Sequence, residues 1–560
     1  MFRAAREPQS KRHIRNSFFV VGEGILADPG TDGPAHRPPT STIAALRKFQ
    51  FSRLGEQAED TQLLDRATRQ ELAEAMTDRT QAQPDSDNPK VPAGFTYLGQ
   101  FVDHDLTLDA TAVQLDEDIT VQQLLQGRSP ALDLDSLYGL GPENRLDRRF
   151  YEDDGIRLKT GTTQGLVDGD EITRLPLTGF DLPRVGIGSL ISERRRPLIP
   201  DGRNDENLVV AQIHTAFIRF HNRLATDLLN KGVSSAVLFE SAREAVVKHY
   251  QWMVRHDFLP RIVDSAILDE VFTKGRTYFE PSAQDQEHPT MPIEFSVAAY
   301  RLGHSMVRGA YNWNRVFDNG RGTLPLLFRF TGTSGILSPP PADTTDPEAG
   351  SFEHLPTNWI ADFRRLFDFR AGGREDLGVT DAQFNVAKRI DTLLVNPLAD
   401  LPLGSFGGRG QPPIDAAELN LAFRNLTRAN MLSLATGQQM AEQLGVKPLL
   451  PSDFDNRPGG VQISDALKEK LVNNCPLWFY ILREAEVNGG GRLTGVGGRI
   501  VAEVFHRAIE GSRYSIVRDP FWRPFLTPDP ARKTQGLFDM TDLLLYAFEG
   551  RATLLNPLGP

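Results

Sequence analysis

The chain has 560 residues, 40% of them apolar and 24% charged, with a formal net charge of −11. That length supports a sizeable core and allows two or three domains, while the acidic balance argues against a nucleic-acid or anionic-membrane partner. A single cysteine, Cys475, excludes an intrachain disulfide framework and a cysteine-rich metal site.

Residues 1 to about 40 are rich in basic residues, Pro and Gly, and read as an irregular arm. The apolar run Phe18 to Val21 is too short for a signal-peptide core, and no stretch approaches the roughly 18 apolar residues of a spanning helix. The expected location is therefore the cytoplasm, or outside it by a non-Sec route. Short helices are expected over Ala44 to Leu54 and Asp60 to Met76, followed by a polar, Pro-bearing linker from Gln81 to Pro92. Asp205 to Asn230 carries apolar residues at 209, 213, 217, 220, 224 and 228, a helical stripe that Gly232 ends. Asn204 or Asp205 is the expected cap. Further helices are expected over Ser235 to Phe258, Pro292 to Val307, Val379 to Leu394, Ala417 to Leu444, Ser464 to Glu486 and Gly497 to Glu510. Ser338 to Glu348 reads as a surface loop. Strand signals are scarce, so the expected fold is mainly α: one large helical domain with irregular loops and little β structure.

Four segments carry chemistry. In Phe95 to Thr107, the polar residues Gln100, Asp103, His104 and Asp105 interrupt an apolar run. On a helix, 100, 103 and 104 share one face, and Asp105 is turned by roughly 100° from His104. A lone histidine among apolar residues is most often a satisfied core residue, so its company decides its meaning. Arg203 and Glu206 stand just before the long stripe. His304 follows Gly303 in an otherwise apolar segment, where a mid-helix glycine costs up to about 1 kcal/mol against alanine and suggests that something flat or bulky comes close. Asn425 sits inside another apolar helix, and a buried amide needs partners.

Together these segments resemble the animal-type haem peroxidase family, also called the peroxidase–cyclooxygenase superfamily. The family's distal pattern is matched by Gly99-Gln100-Phe101-Val102-Asp103-His104-Asp105, and its proximal pattern by Arg301-Leu302-Gly303-His304. Its arginine three residues before a glutamate is matched by Arg203 and Glu206, and the amide partner of the proximal histidine by Asn425. His221 to Ala225 and Pro476 to Glu484 are also similar, so the resemblance runs from about residue 90 to 525. It implies an arm with short helices over 1–90, a catalytic domain over 91–530 and a C-terminal extension over 531–560 packed on it. The missing disulfides and signal segment give the chain a bacterial style.

The resemblance implies that His304 binds the iron of haem b and shares its other ring N–H with Asn425, with Arg301 also at the haem. His104 would act as general base and then acid. Arg203 would stabilise developing charge, and Gln100 would position water or peroxide. Asp103 and Glu206 match positions that form ester links to haem. The family's chlorinating member carries a methionine beside the glutamate; here Asn207 stands there. No sulfonium link is expected, and the donors would be bromide, iodide, thiocyanate or phenols rather than chloride. A calcium loop is matched by Arg128 to Gly139, with Ser129, the carbonyl of Ala131, Asp133, Asp135 and the distant Asp105 as ligands, all hard oxygens. The expected function is reduction of hydrogen peroxide to water with oxidation of small organic or halide donors.

Three other functions fit parts of the sequence. A fatty-acid dioxygenase of the same superfamily uses a tyrosine three residues before the proximal histidine; Arg301 occupies that position and Tyr300 is one residue off. A metal-dependent hydrolase built on His104-Asp105 needs an upstream histidine, and only His13 and His36 are available. A haem or calcium scaffold without catalysis would need none of Gln100, His104 and Arg203.

Overall fold

A computed structural model describes residues 49–77, 87–109, 115, 118–189, 191–282, 289–332, 352–401 and 415–560. Eight helices position the site. They are α1 (Arg66–Met76), α2 (Gly94–Leu106), α3 (Leu208–Asn230), α4 (Ser235–Met253), α5 (Leu421–Met431), α6 (Leu477–Val487), α7 (Gly495–Glu510) and α8 (Met540–Ala547). Shorter helices and turns connect them, and four two-stranded pairs are the sheet structure among the described residues, including a parallel pair of Phe51–Ser52 with Met291–Pro292. The mainly α expectation holds.

Helix α2 forms where its sequence places apolar residues at 95, 98, 101, 102 and 106, all buried. It begins at a close approach. A Cβ on Gly94 would lie 2.3 Å from the Phe367 ring, so only glycine fits there. Thr107 ends the helix, with its hydroxyl donating to the Asp103 carbonyl (3.2 Å) and carboxyl (3.1 Å). Phe101 stacks on Phe217 of α3 with ring centroids 4.6 Å apart and planes 16° from parallel, and it meets Tyr250 of α4 edge-on. Burying one such ring stabilises the fold by about 1.5–3 kcal/mol. Helix α8 packs on α3, where Arg223 donates to the Tyr546 carbonyl (3.0 Å).

Several expected boundaries move. Residues 44–48, 81–86 and 338–348 lie outside the described ones, and residues 51–52 form a strand instead of continuing a helix. Residues 87–92 are a strand paired antiparallel with Val386–Lys388. The expected helix over 379–394 is therefore absent: its apolar spacing suits a helix, but cross-chain pairing overrides it. The segment 417–444 divides into α5 and a helix over Gly437–Gln443, and 464–486 divides at Pro476. The expected proximal helix over 292–307 is broken into a π turn (Glu294–Ala298), a 3-10 turn (Ala299–Leu302) and one α turn (Gly303–Met306). Ala298 makes the break, at φ −127° and ψ −72°. The cap of α3 is Asn207, whose side chain accepts from Val210 N–H (3.0 Å). Asn204 and Asp205 are engaged elsewhere.

Glu484 on α6 accepts from the N–H groups of Val496 (3.1 Å) and Gly497 (3.2 Å) and so ties α6 to the start of α7. Burial pushes its carboxyl from 4.5 to about 7. A folded value above the unfolded one means a stability contribution present below pH 4.5 and lost as pH rises through about 7. Glu484→Gln should flatten the dependence of melting temperature on pH across that window. An unchanged slope in thermal melts would contradict it.

Candidate active site

A cavity lies between α2 and the broken proximal segment. Gln100, Asp103 and Asn207 wall one side, and Arg301, Gly303 and His304 wall the other. Phe95, Phe258, Tyr300, Leu324 and Phe328 supply much of the apolar lining. Gly303 and His304 are only partly buried, and a Cβ on Gly303 would meet nothing within 4 Å. That glycine faces open space, with no protein neighbour pressed against it.

Asn425 of α5 lies 2.8 Å from His304 Nδ1. Its amide nitrogen faces the ring, so the amide donates. A metal bond through Nε2 requires the amide turned over, its oxygen accepting from Nδ1–H, an exchange of two atoms of similar size. Trp478 of α6 meets the His304 ring edge-on at 6.3 Å and donates its indole N–H to the Arg301 carbonyl (3.3 Å). Burial pushes His304 down to about 3, so its ring is neutral. Arg301 donates through Nε to the Ser296 carbonyl (2.8 Å) and stands 3.5 Å from the Asp103 carboxyl. Burial raises Asp103 despite that guanidinium.

His104 and Arg203 lie one layer behind the cavity wall. Asn204 faces His104 Nδ1 with its amide oxygen at 2.8 Å. His104 Nε2 has no hydrogen-bond partner; the nearest polar group is the Glu206 carboxyl at 3.6 Å. Burial and then the Arg203 charge push His104 down to about 3, while burial raises Glu206 well above its ordinary range. The two therefore meet as a neutral imidazole and a carboxyl whose ionisation burial opposes. Glu206 also touches the amide of Gln100, whose oxygen accepts from Asn207 (2.9 Å). Its other oxygen is buried and unpartnered.

Arg203 is fully buried. It donates to Asp201 through Nε (3.0 Å) and Nη2 (2.7 Å), and Nη2 also reaches the carbonyls of His104 (3.0 Å) and Thr107 (2.6 Å). Its Nη1 has no partner. Burial opposes ionisation of Asp201, but Arg128 and Arg203 outweigh it and hold the carboxyl well below its usual range.

Asp105 turns away from His104, as its helical phase requires. It accepts from Leu134 N–H (3.1 Å) and the Ser136 hydroxyl (3.4 Å). The His104-Asp105 pair of a metal hydrolase therefore does not face one point. Burial, Asp135 and Asp133 raise Asp105 well above its usual range, and burial lifts Asp135 to about 6. Ser129 donates its N–H to Asp135 (3.0 Å), whose other oxygen is unpartnered. Asp133 accepts from the Ser129 hydroxyl (3.5 Å) and from Arg513 N–H (3.2 Å), and its own N–H donates to the Ala131 carbonyl (2.9 Å). Among the described residues no three His, Cys, Asp or Glu side chains converge closely enough to hold a metal as they stand.

Sequence reasoning missed Asp201, Asn204 and Trp478. Asp201 stood two residues from Arg203, and a charge that must be buried calls for such a neighbour. Asn204 had no local signal.

Residues 114–334 match the family model described as animal haem peroxidase. That stretch holds Arg203, Glu206, His304 and the Ser129–Asp135 loop; Gln100 and His104 precede it and Asn425 follows it. The chain is 26% identical over 273 residues to a peroxidase-like protein of Margaritifera margaritifera, covering 41% of this chain and 33% of that protein. It is 27% identical over 190 residues to thyroid peroxidase of Mus musculus, covering 33% and 20%. It thus spans a third or less of these curated relatives. In fold it is similar to peroxidase A from Dictyostelium discoideum, with a TM-score of 0.55 at 15% identity over 90% of this chain and 94% of that one. A fatty acid alpha-dioxygenase of Arabidopsis thaliana gives 0.53 at 12% identity, over 97% and 84%.

Proposed function

The chain belongs to the animal haem peroxidase family, and from that premise we propose that it is a haem-dependent peroxidase that reduces hydrogen peroxide to water and oxidises small organic or halide donors. The cavity between Gln100 and Asp103 on one wall and His304 on the other carries this reading. The residues fit the group. Gly303 leaves open space beside a partly buried, neutral His304, and Glu206 keeps an unpartnered oxygen. Haem b bound there would supply the iron at which the peroxide bond is cleaved and through which donor electrons pass.

His304 would hold the iron through Nε2, with Asn425 fixing its ring. Asp103 lines the cavity and Glu206 lies directly behind it, the two positions from which ester links to haem would form. Arg301 would sit at the haem edge beside Asp103. Gln100 would hold peroxide or water by its amide. His104 Nε2 would take and return a proton, and Arg203 would supply fixed positive charge. Asn207 is committed as the cap of α3 and as a donor to Gln100, and it has no sulfur to bond to haem. Bromide, iodide, thiocyanate and phenols are the favoured donors over chloride. Haem added to the purified chain should give a Soret band, and hydrogen peroxide should then drive guaiacol oxidation. A chain that takes up no haem, or that takes it up without guaiacol oxidation, overturns the reading.

Calcium suits the loop beside α2. Asp105 is buried and Asp133 and Asp135 are partly buried, and Ser129 and the Ala131 carbonyl add neutral oxygens. Binding would draw these groups inward from their present partners and brace α2. Chelation should lower the melting temperature by a few degrees, since a ligand at a hundred times its Kd contributes about 2.7 kcal/mol. Asp135→Asn should abolish the response to added calcium. A melting curve indifferent to chelator and calcium would refute the site.

One observation keeps the dioxygenase reading alive. Tyr300 lines the cavity, stacked on Phe295 at 4.7 Å, with its hydroxyl unpartnered. Oxygen uptake on adding linoleate to the haem-loaded chain would support that reading.

A further inference from the structure

The Asn204 amide joins two buried histidines. Its oxygen lies 2.8 Å from His104 Nδ1, and its nitrogen lies 2.9 Å from Nδ1 of His214, one helical stretch further along on α3. All three side chains are buried, His214 completely. An amide oxygen only accepts and an amide nitrogen only donates. His104 Nδ1 must therefore carry a proton, and His214 Nδ1 must carry a lone pair. Burial pushes His214 down to about 3, so it is neutral as this arrangement requires. Its other nitrogen, Nε2, has no hydrogen-bond partner, and its ring meets Phe101 edge-on at 5.8 Å.

The consequence appears at the opposite end of the relay. With the proton on Nδ1, the lone pair of His104 sits on Nε2, which is the unpartnered nitrogen. The relay has only one other consistent setting. If the amide reverses, both protons shift together, and His104 Nε2 becomes a donor unable to accept a proton. We propose that His214 is a positioning residue for the peroxide reaction: acting through Asn204, it holds His104 in the tautomer whose Nε2 accepts the proton. This rests on the peroxidase reading above, since only a proton acceptor at His104 gives the tautomer a purpose.

His214→Phe keeps an aromatic ring but removes the acceptor. His214→Gln keeps an amide oxygen that can accept from Asn204. The tautomer is read from ring-nitrogen NMR shifts of the chain labelled with ¹⁵N-histidine and free of haem, with the His104 signals assigned by their loss in His104→Phe. The wild type and His214→Gln should carry the His104 proton on Nδ1, and His214→Phe should show a mixture or its transfer to Nε2. After haem loading, kcat/KM for hydrogen peroxide should fall roughly ten- to a hundredfold in His214→Phe. It should stay within a fewfold in His214→Gln, and KM for the organic donor should not move in either. A wild-type proton on Nε2, or a His214→Phe variant with wild-type tautomer and rate, overturns the proposal. Should His214→Phe not fold, the wild type and His214→Gln decide it: a proton on Nε2 in either overturns it. Because the tautomer is read without haem, its result is separate from any failure of the peroxidase reading.

Discussion

His104→Ala, loaded with haem, should react with hydrogen peroxide roughly 10²- to 10⁴-fold more slowly than the wild type, the usual contribution of a positioned acid–base group. The Soret band should persist, because His304 and the cavity wall are untouched. Three features of the imidazole account for this. It is neutral, pushed to about 3 by burial and by Arg203. Its Nδ1 is occupied by Asn204, and its Nε2 is not hydrogen-bonded. The Glu206 carboxyl at 3.6 Å is too distant to claim that nitrogen. Losing the ring also strands the Asn204 amide, at a cost of about 1–3 kcal/mol, so a small fall in melting temperature should accompany the kinetic loss. A peroxide rate within threefold of wild type in stopped-flow mixing would remove His104 from the chemistry.

Arg203→Ala should damage both stability and catalysis. Asp201 would keep Arg128 as its remaining guanidinium partner (2.9 Å from Nε) while staying fully buried. Breaking a buried ion pair by removing one partner costs about 3–5 kcal/mol. The carbonyls of His104 and Thr107 would also lose a donor. In the folded fraction, the peroxide step should slow by roughly 10²- to 10³-fold, the cost of removing one preorganised donor. Arg203→Lys keeps the charge but cannot reproduce the forked contact with Asp201, and should recover stability only in part. Thermal melts and single-turnover rates separate the two losses. A melting temperature equal to wild type in Arg203→Ala would contradict the structural role of the pair, and an equal rate the catalytic one.

The phase of α2 is legible in the sequence alone. Gln100 and Asp103 reach the cavity, and Asp105 turns toward Leu134 and Ser136, because a helix turns by roughly 100° per residue whatever surrounds it. The stripe from 209 to 228 was readable for the same reason. The proximal segment was not. Its apolar run suggested one helix, but the chain breaks at Ala298, and no pattern in residues 292–307 announces that backbone angle. Residues 386–388 show the converse case. Their helical spacing is real, yet pairing with 87–92 decides their conformation.

At the site, residue identity and residue placement part company. The resemblance to the family's motifs picked out His104, Arg203, His304 and Asn425, each by its residue type within a short local pattern. It did not reveal that His104 and Arg203 sit a layer behind the cavity wall, or that Glu206 lies against the free nitrogen of His104. Nor did it reveal that Asn204 couples His104 to His214. Helical periodicity and motif spacing are carried by neighbours in the chain and survive without a fold. Desolvation, the direction of a buried hydrogen bond and the tautomer it imposes depend on groups up to a hundred residues apart, and these exist only once packing has excluded water.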